Sequence, residues 1–152
     1  LSLFTGMNAT SSALTAQRLR MDVAASNMAN AETTRATMVD GEWQPYERKV
    51  VTLAPNKNES FASILSEQRN QSISNADGVK VTSITADQTP GKTIYQPGHP
   101  DADEDGNLHM PNVDPLKEMV DIMGATRSYE ANVTVFDAHK SMMMKALEIG
   151  RG

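Results

Sequence analysis

The densest run of chemistry-bearing side chains lies between His99 and His109. Two histidines and the carboxylates of Asp101, Asp103, Glu104 and Asp105 fall within eleven residues. Imidazole and carboxylate together can hold zinc, so a metal site in the 99–109 loop is one reading of the chain. Asp101, Asp103, Asp105 and Gly106 also take the first, third, fifth and sixth places of a calcium loop. The twelfth place is then Asn112, where that loop needs a bidentate glutamate, and Pro111 interrupts the helix that should leave it. The histidine spacing fits no zinc pattern, and Asp and Gly in such runs are ordinary turn formers. An acidic surface turn is the simpler account. His139 falls on a helical pattern beside Lys140 and reads as part of a solvated face. No Ser/His/Asp arrangement and no phosphate-cradling glycine loop can be traced, and there is no cysteine. No cofactor and no catalytic residue are expected.

The elements that carry these residues are uneven in composition. The chain has 152 residues, of which 39% are hydrophobic and 5% aromatic. Most of the Met and Leu lie near the two ends, so one large core is hard to build. Net charge is −5 and no stretch is strongly basic, which argues against nucleic acid as a partner. No apolar run is long enough to span a bilayer, and no cleavable signal pattern is visible, so the chain is not expected to be membrane-embedded.

Residues 7–31 read as one helix. Met7, Thr10, Leu14, Gln17, Met21, Ala24, Met28 and Ala31 step by three and four, a heptad seam with polar members. Residues 115–149 read as a second, with Asp114 as N-cap, Pro115 as first helical residue and Gly124 as the weak point. Its seam runs Met119, Ile122, Thr126, Tyr129, Val133, Phe136, Lys140, Met143 and Leu147, and Leu116, Val120 and Met123 widen it early on. The middle is polar. Residues 48–53, 79–85 and 93–95 read as strands, and Asn75-Ala76-Asp77-Gly78, Thr89-Pro90-Gly91 and Gln96-Pro97-Gly98 as turns. Residues 54–77 read as a polar loop, with Phe61, Ile64 and Leu65 able to support a short helix.

The expected fold is mainly α with a small β-rich insert. Long terminal helices (1–35 and 115–152) pack as a coiled coil and form an assembly region around a central β-hairpin-like domain (36–114). The apolar seams exceed what so small a domain can cover, so they need partners. The candidate assembly residues are Met7, Leu14, Met21, Met28, Met119, Ile122, Tyr129, Val133, Phe136, Met143 and Leu147. Asn27, Asn30 and Thr33 sit where the first helix should end. They either shape the exit turn and bond neighbouring molecules, or simply terminate the helix.

Several segments carry a resemblance. Ser26-Asn27-Met28-Ala29-Asn30-Ala31-Glu32-Thr33-Thr34 resembles the signature that closes the N-terminal helix of flagellar axial proteins, with Ala29, Asn30 and Thr33 as its core. Ser2-Leu3-Phe4, Leu14 to Asp22, Tyr95 to Gly106, Met110 to Val113 and the stretch from Glu118 to Leu147 are similar to the proximal-rod members of that family. The resemblance implies a non-enzymatic structural subunit of the bacterial flagellar basal body. Such subunits leave the cell through the flagellar type III export apparatus without a cleaved signal. They assemble in the periplasm into a rod that transmits torque and encloses the export channel. The implied partners are copies of the chain, other rod proteins, the MS-ring/rod adapter and the export apparatus. Residues 54–77 depart from the family, being longer than its usual connector. A secreted coiled-coil adaptor shares the terminal helices but has no need of residues 78–114, which carry the most specific part of the likeness.

Overall fold

The computed structural model describes residues 3–57 and 76–150. It contains helix α1 (Leu3–Ala29), strands β1 (Thr37–Val39), β2 (Glu42–Gln44), β3 (Lys49–Lys57), β4 (Ala76–Ala86), β5 (Thr93–Tyr95) and β6 (Asn107–His109), and helix α2 (Pro115–Ile149). The strands form three two-stranded sheets, β1–β2, β3–β4 and β5–β6. The fold is mixed α+β, two long helices with small sheets between them.

The helix boundaries follow local chemistry. α2 starts where Asp114 accepts the Leu116 N–H through its Oδ1 at 3.0 Å, with Pro115 next in line and needing no partner for a missing N–H. Gly124 does not break it: the helix runs on to Ile149, because one solvent-side glycine lowers helix propensity by only about 1 kcal/mol. α1 starts earlier than the periodicity suggests and passes through Gly6. A Cβ at Gly6 would lie 3.0 Å from the His139 ring, so this glycine lets the two helices approach closely.

The β insert is larger than the sequence pattern suggests. β1 and β2 form a hairpin with Met38 opposite Trp43. Its two-residue loop is Asp40-Gly41, both at positive φ (51° and 90°), which suits the right-handed twist of the paired strands. Asn75-Ala76-Asp77-Gly78 is not a turn in its described part: Ala76, Asp77 and Gly78 lie in β4. Gly78 is there for a different reason. Its φ is +113°, and its backbone passes so close to α1 that a Cβ would meet Ser12 Oγ at 2.1 Å and the Ala9 Cα at 3.0 Å. The next amide, Val79 N–H, donates to Ser12 Oγ at 3.0 Å, and Ser12 in turn donates to the Ala9 carbonyl at 2.7 Å. Residues 54–57 likewise belong to β3 rather than to a loop. The short helix expected around Phe61, Ile64 and Leu65 lies outside the described residues.

The chain divides into two compact units. Among the described residues, one contains 3–19, 52–57, 76–83 and 125–150, the other 20–51 and 84–124. In the second, Gly106, Leu108 and Pro111 are buried in and beside β6. Across both helices the most buried positions are small or polar: Thr10, Ala16, Ala24 and Asn27 on α1, Glu118 and Ala125 on α2. Met7, Leu14, Met21 and Met28 are half-buried, as are Ile122, Tyr129, Phe136 and Met143. Met119, Val133 and Leu147 are exposed.

The glycines provide a test. Gly78→Ala combines a disfavoured φ with a backbone and side-chain clash and should destabilise the protein by about 3 kcal/mol or more. Gly41→Ala meets nothing within 4 Å and carries only the conformational strain, about 1 kcal/mol. Thermal unfolding of the two variants should therefore rank Gly78→Ala well below Gly41→Ala, and equal midpoints would show that β4 does not press on α1.

A buried polar junction as the candidate functional site

Asn27 and Glu118 are each 1% exposed, and they face each other from the two helices. An amide and a carboxylate buried this deeply are unfavourable unless every polar atom finds a partner. Here they do. Asn27 Nδ2 donates to Glu118 Oε2 at 3.0 Å and to the Lys49 carbonyl at 2.9 Å. Asn27 Oδ1 accepts from the Lys49 N–H at 2.9 Å and from the Tyr46 hydroxyl at 3.0 Å. The side chain thus takes both backbone groups of Lys49, as a neighbouring strand would, and fixes the start of β3 against the end of α1.

The second Glu118 oxygen, Oε1, accepts from Arg48 Nε at 2.6 Å. Arg48 also reaches Asp87 Oδ2 at 3.4 Å and Asp121 Oδ2 at 3.5 Å, so one guanidinium answers three carboxylates. Arg20 approaches the other Asp121 oxygen at 3.2 Å. Burial opposes the charged form of Arg48, but Glu118 and then Asp87 outweigh it and raise the Arg48 pKa above its ordinary value. The backbone of the same residue is held as firmly. Arg48 N–H donates to Asn112 Oδ1 at 2.7 Å, and its carbonyl accepts from the Asp87 N–H at 2.7 Å. Asn112 Nδ2 then donates to the carbonyls of Asp87 and Thr89 at 2.8 and 2.9 Å. The end of α1, the start of β3, the loop after β4 and the start of α2 meet at one node. Both Glu118 oxygens and all four hydrogen-bonding positions of Asn27 are taken by other protein groups, so the node positions elements rather than presenting an acid, a base or a ligand.

Beside it, Asn30 and Thr33 close the turn that follows α1. Asn30 Nδ2 donates to the Ser26 carbonyl at 2.9 Å, Thr33 Oγ1 to Asn30 Oδ1 at 3.2 Å, and the Thr33 carbonyl accepts the Tyr46 N–H at 3.0 Å. Ala29, immediately before Asn30 in the signature, is exposed. The acidic loop is also committed internally. Asp101 takes the Thr34 hydroxyl at 2.8 Å and pairs with Arg35. Asp103 accepts the amides of Asp105 and Asn107 at 3.0 and 2.7 Å. Among the described residues no group of three or more His, Asp or Glu side chains is arranged to hold a metal ion.

Comparison with known proteins decides the family. A family described as flagella basal body rod protein matches residues 7–37, and one described as flagellar basal body rod FlgEFG protein C-terminal matches residues 104–149. The flagellar basal-body rod protein FlgC of Bacillus subtilis is 55% identical over 151 residues, covering 99% of this chain and 100% of that protein. The chain belongs to the FlgC family of flagellar basal-body rod proteins. The FlgC of Borreliella burgdorferi is 40% identical over the full length of both chains, and that of Salmonella typhimurium is 44% identical over 92% of each. FlgC proteins are structural components of the rod, not enzymes. No helix among the described residues is long and apolar enough to cross a membrane.

In this FlgC-family chain the sequence singled out Asn27, Asn30 and Thr33, and the structure places all three at or beside the node. It missed Arg48, Glu118 and Asn112. Glu118 had an available signal: it lies four residues before the half-buried Ile122 on the helical pattern, so the two side chains share one face.

Two predictions follow from the node's geometry. Glu118→Ala leaves Arg48 without its shortest partner and Asn27 with an unpaired donor, and should destabilise by about 3–5 kcal/mol. Arg48→Met combined with Glu118→Leu should restore a large part of that loss, because two apolar groups leave no charge stranded. Chemical denaturation of the single and double variants checks both. The pH dependence has a defined direction. Asp87 is held below the usual carboxylate range by the Thr89 hydroxyl and amide and then by Arg48, Asp101 by Thr34 and then Arg35, and Asp103 by the amide of Asn107. Each binds its proton less readily folded than unfolded, so its contribution is complete above the unfolded value and disappears as pH falls through the lower folded one. Stability should hold above about pH 5 and drop below about pH 4, with a shallower drop in Asp101→Asn.

Proposed function

We propose that the chain polymerises through its terminal helices into the proximal rod that crosses the periplasm, transmits torque and encloses the export channel. The observation that carries this reading is the asymmetry of the two helices. The exposed positions of α1 run Asn8, Ser11, Thr15, Arg18 and Asp22, a polar stripe, with Phe4 its one exposed large apolar side chain among the described residues. On α2, Leu116, Met119, Val120, Met123, Val133, Val135, Met142, Met144, Leu147 and Ile149 are all more than one-third exposed. A monomer rarely leaves so many large apolar side chains of one helix in water, and such exposure marks interaction surfaces.

The seam residues then divide by role. Small and polar side chains on the inner faces set the spacing of α1 and α2. The larger ones, Met7, Leu14, Met21, Met28, Met119, Val133 and Leu147 among them, are the shoulder on which helices of neighbouring copies pack as a coiled coil. Residues 1–35 and 115–152 form the assembly region and residues 36–114 the domain it carries. The unbranched side chains of Met142, Met143 and Met144 suit contacts that differ slightly from one position in the rod to the next. Copies of the chain, other rod proteins and the MS-ring/rod adapter are the partners, and export proceeds through the flagellar type III apparatus without cleavage.

Joint replacement of Met144 and Leu147 by Ser tests this. Both side chains are exposed, so the monomer's unfolding free energy should change by no more than about 0.5 kcal/mol per site. Electron microscopy of basal bodies from a strain carrying only the variant should show the rod missing or truncated. Complete rods and normal swimming would remove α2 from the assembly surface, and complete rods in a strain lacking the chain altogether would end the rod reading.

A further inference from the structure

The β1–β2 hairpin has no packing role that the fold explains. All six of its strand residues are exposed, Met38 at 58% and Trp43 at 52%. Met38 and Trp43 are cross-strand partners, so they lie on one face of the hairpin. Trp43 is the chain's single tryptophan. The ring is the largest apolar group available, and a two-stranded hairpin left in water is marginal by itself. The hairpin also carries Asp40 at its tip and Glu42 in β2, and neither forms an ion pair with a described residue. Two such hairpins would repel each other, so the hairpin's partner is not a second hairpin.

The first turns of α2 have the complementary character. Leu116, Met119, Val120 and Met123 form an exposed apolar stripe, Leu116 at 73% and Val120 at 63%. Lys117 flanks it, exposed and without an ion pair to a described residue.

Building on the rod reading, we infer that the Met38–Trp43 face of one copy docks on the Leu116–Met123 stripe of α2 in a second copy, with Asp40 and Glu42 toward Lys117. The two surfaces are different parts of one chain, so the contact runs head to tail and propagates wherever its rotation does not close a ring. A hairpin this short falls below the roughly 800 Å² per partner of a free-standing complex. The contact therefore acts as one of several in the polymer and gives only weak association in dilute solution.

Trp43 reports directly on the contact, because its emission shifts to the blue when the ring leaves water. With the full-length protein, raising the concentration from micromolar to millimolar should produce that shift together with faster sedimentation. Lys117→Glu should weaken association about tenfold or more, and adding Glu42→Lys to it should recover most of the affinity. The inference is overturned by a blue emission that does not depend on concentration, since the chain's own residues would then cover the ring. A shift that Lys117→Glu leaves intact overturns it, as does one that appears only when isolated basal bodies are added. Complete rods in cells carrying Trp43→Ser sink this contact while leaving the rod reading in place.

Discussion

A carboxylate removed from water must have its charge answered where it stands. Glu118 is removed from water between two helices, and the groups that answer it come from four places in the sequence: Arg48 at the entry to β3, Asn27 near the end of α1, and, through Arg48, Asp87 and Asn112. Net stability gained from such a cluster is small, because desolvation offsets most of the Coulomb attraction. Its value lies in uniqueness. Sliding α2 by one turn would carry Glu118 and Asp121 away from Arg48 and leave Asn27 without its carboxylate acceptor. The register of the helix pair in this unit is therefore fixed by polar groups, while Ala24, the buried apolar residue among its described helix positions, is small enough to fit many alignments.

That arrangement frees the large apolar side chains for other work. A helix pair held together by Leu and Met in its seam would consume the surface a polymer needs. Here the inner positions are Thr, Ala, Asn and Glu, and the Met and Leu residues lie on the shoulders or outside. The proposed assembly then needs no rearrangement of the pair before a neighbour docks. The helix length serves the same end. Thirty-five residues of α2 project a flank much longer than the small sheets could cover.

The sequence made the two helices and three strands legible because their periods are long or strict. It also made Asn27, Asn30 and Thr33 visible, as small polar residues at the end of a helical pattern. The β1–β2 hairpin went unread although Asp40-Gly41 between Val39 and Glu42 is a strong hairpin signal. Gly78 was misread for a different reason. A glycine in an Asn-Ala-Asp-Gly run resembles a turn, and only the nearness of Ser12, distant in sequence, shows that the residue serves a close backbone approach. Arg48, Glu118 and Asn112 are ordinary residues in ordinary positions. Their importance is a property of the meeting point, which no local pattern contains.

The acidic loop illustrates how the same residues change meaning with context. Read along the chain, Asp101, Asp103 and Asp105 look like ligands waiting for a cation. In the fold, Asp103 is turned onto the amides of its own loop and Asp101 onto Thr34 and Arg35, just after the helix signature. The loop thereby fastens the β5–β6 hairpin to the exit of α1 using carboxylates whose affinity for protons is lowered by those same bonds. A cation would have to displace Arg35 and two amides to bind there, exchanging bonds already made for bonds of the same kind. The physical reason the loop is acidic is then the demand for acceptors at a crowded junction of donors, and the loop and the Glu118 node are two instances of one device: negative side chains placed where amide N–H groups and a guanidinium group converge.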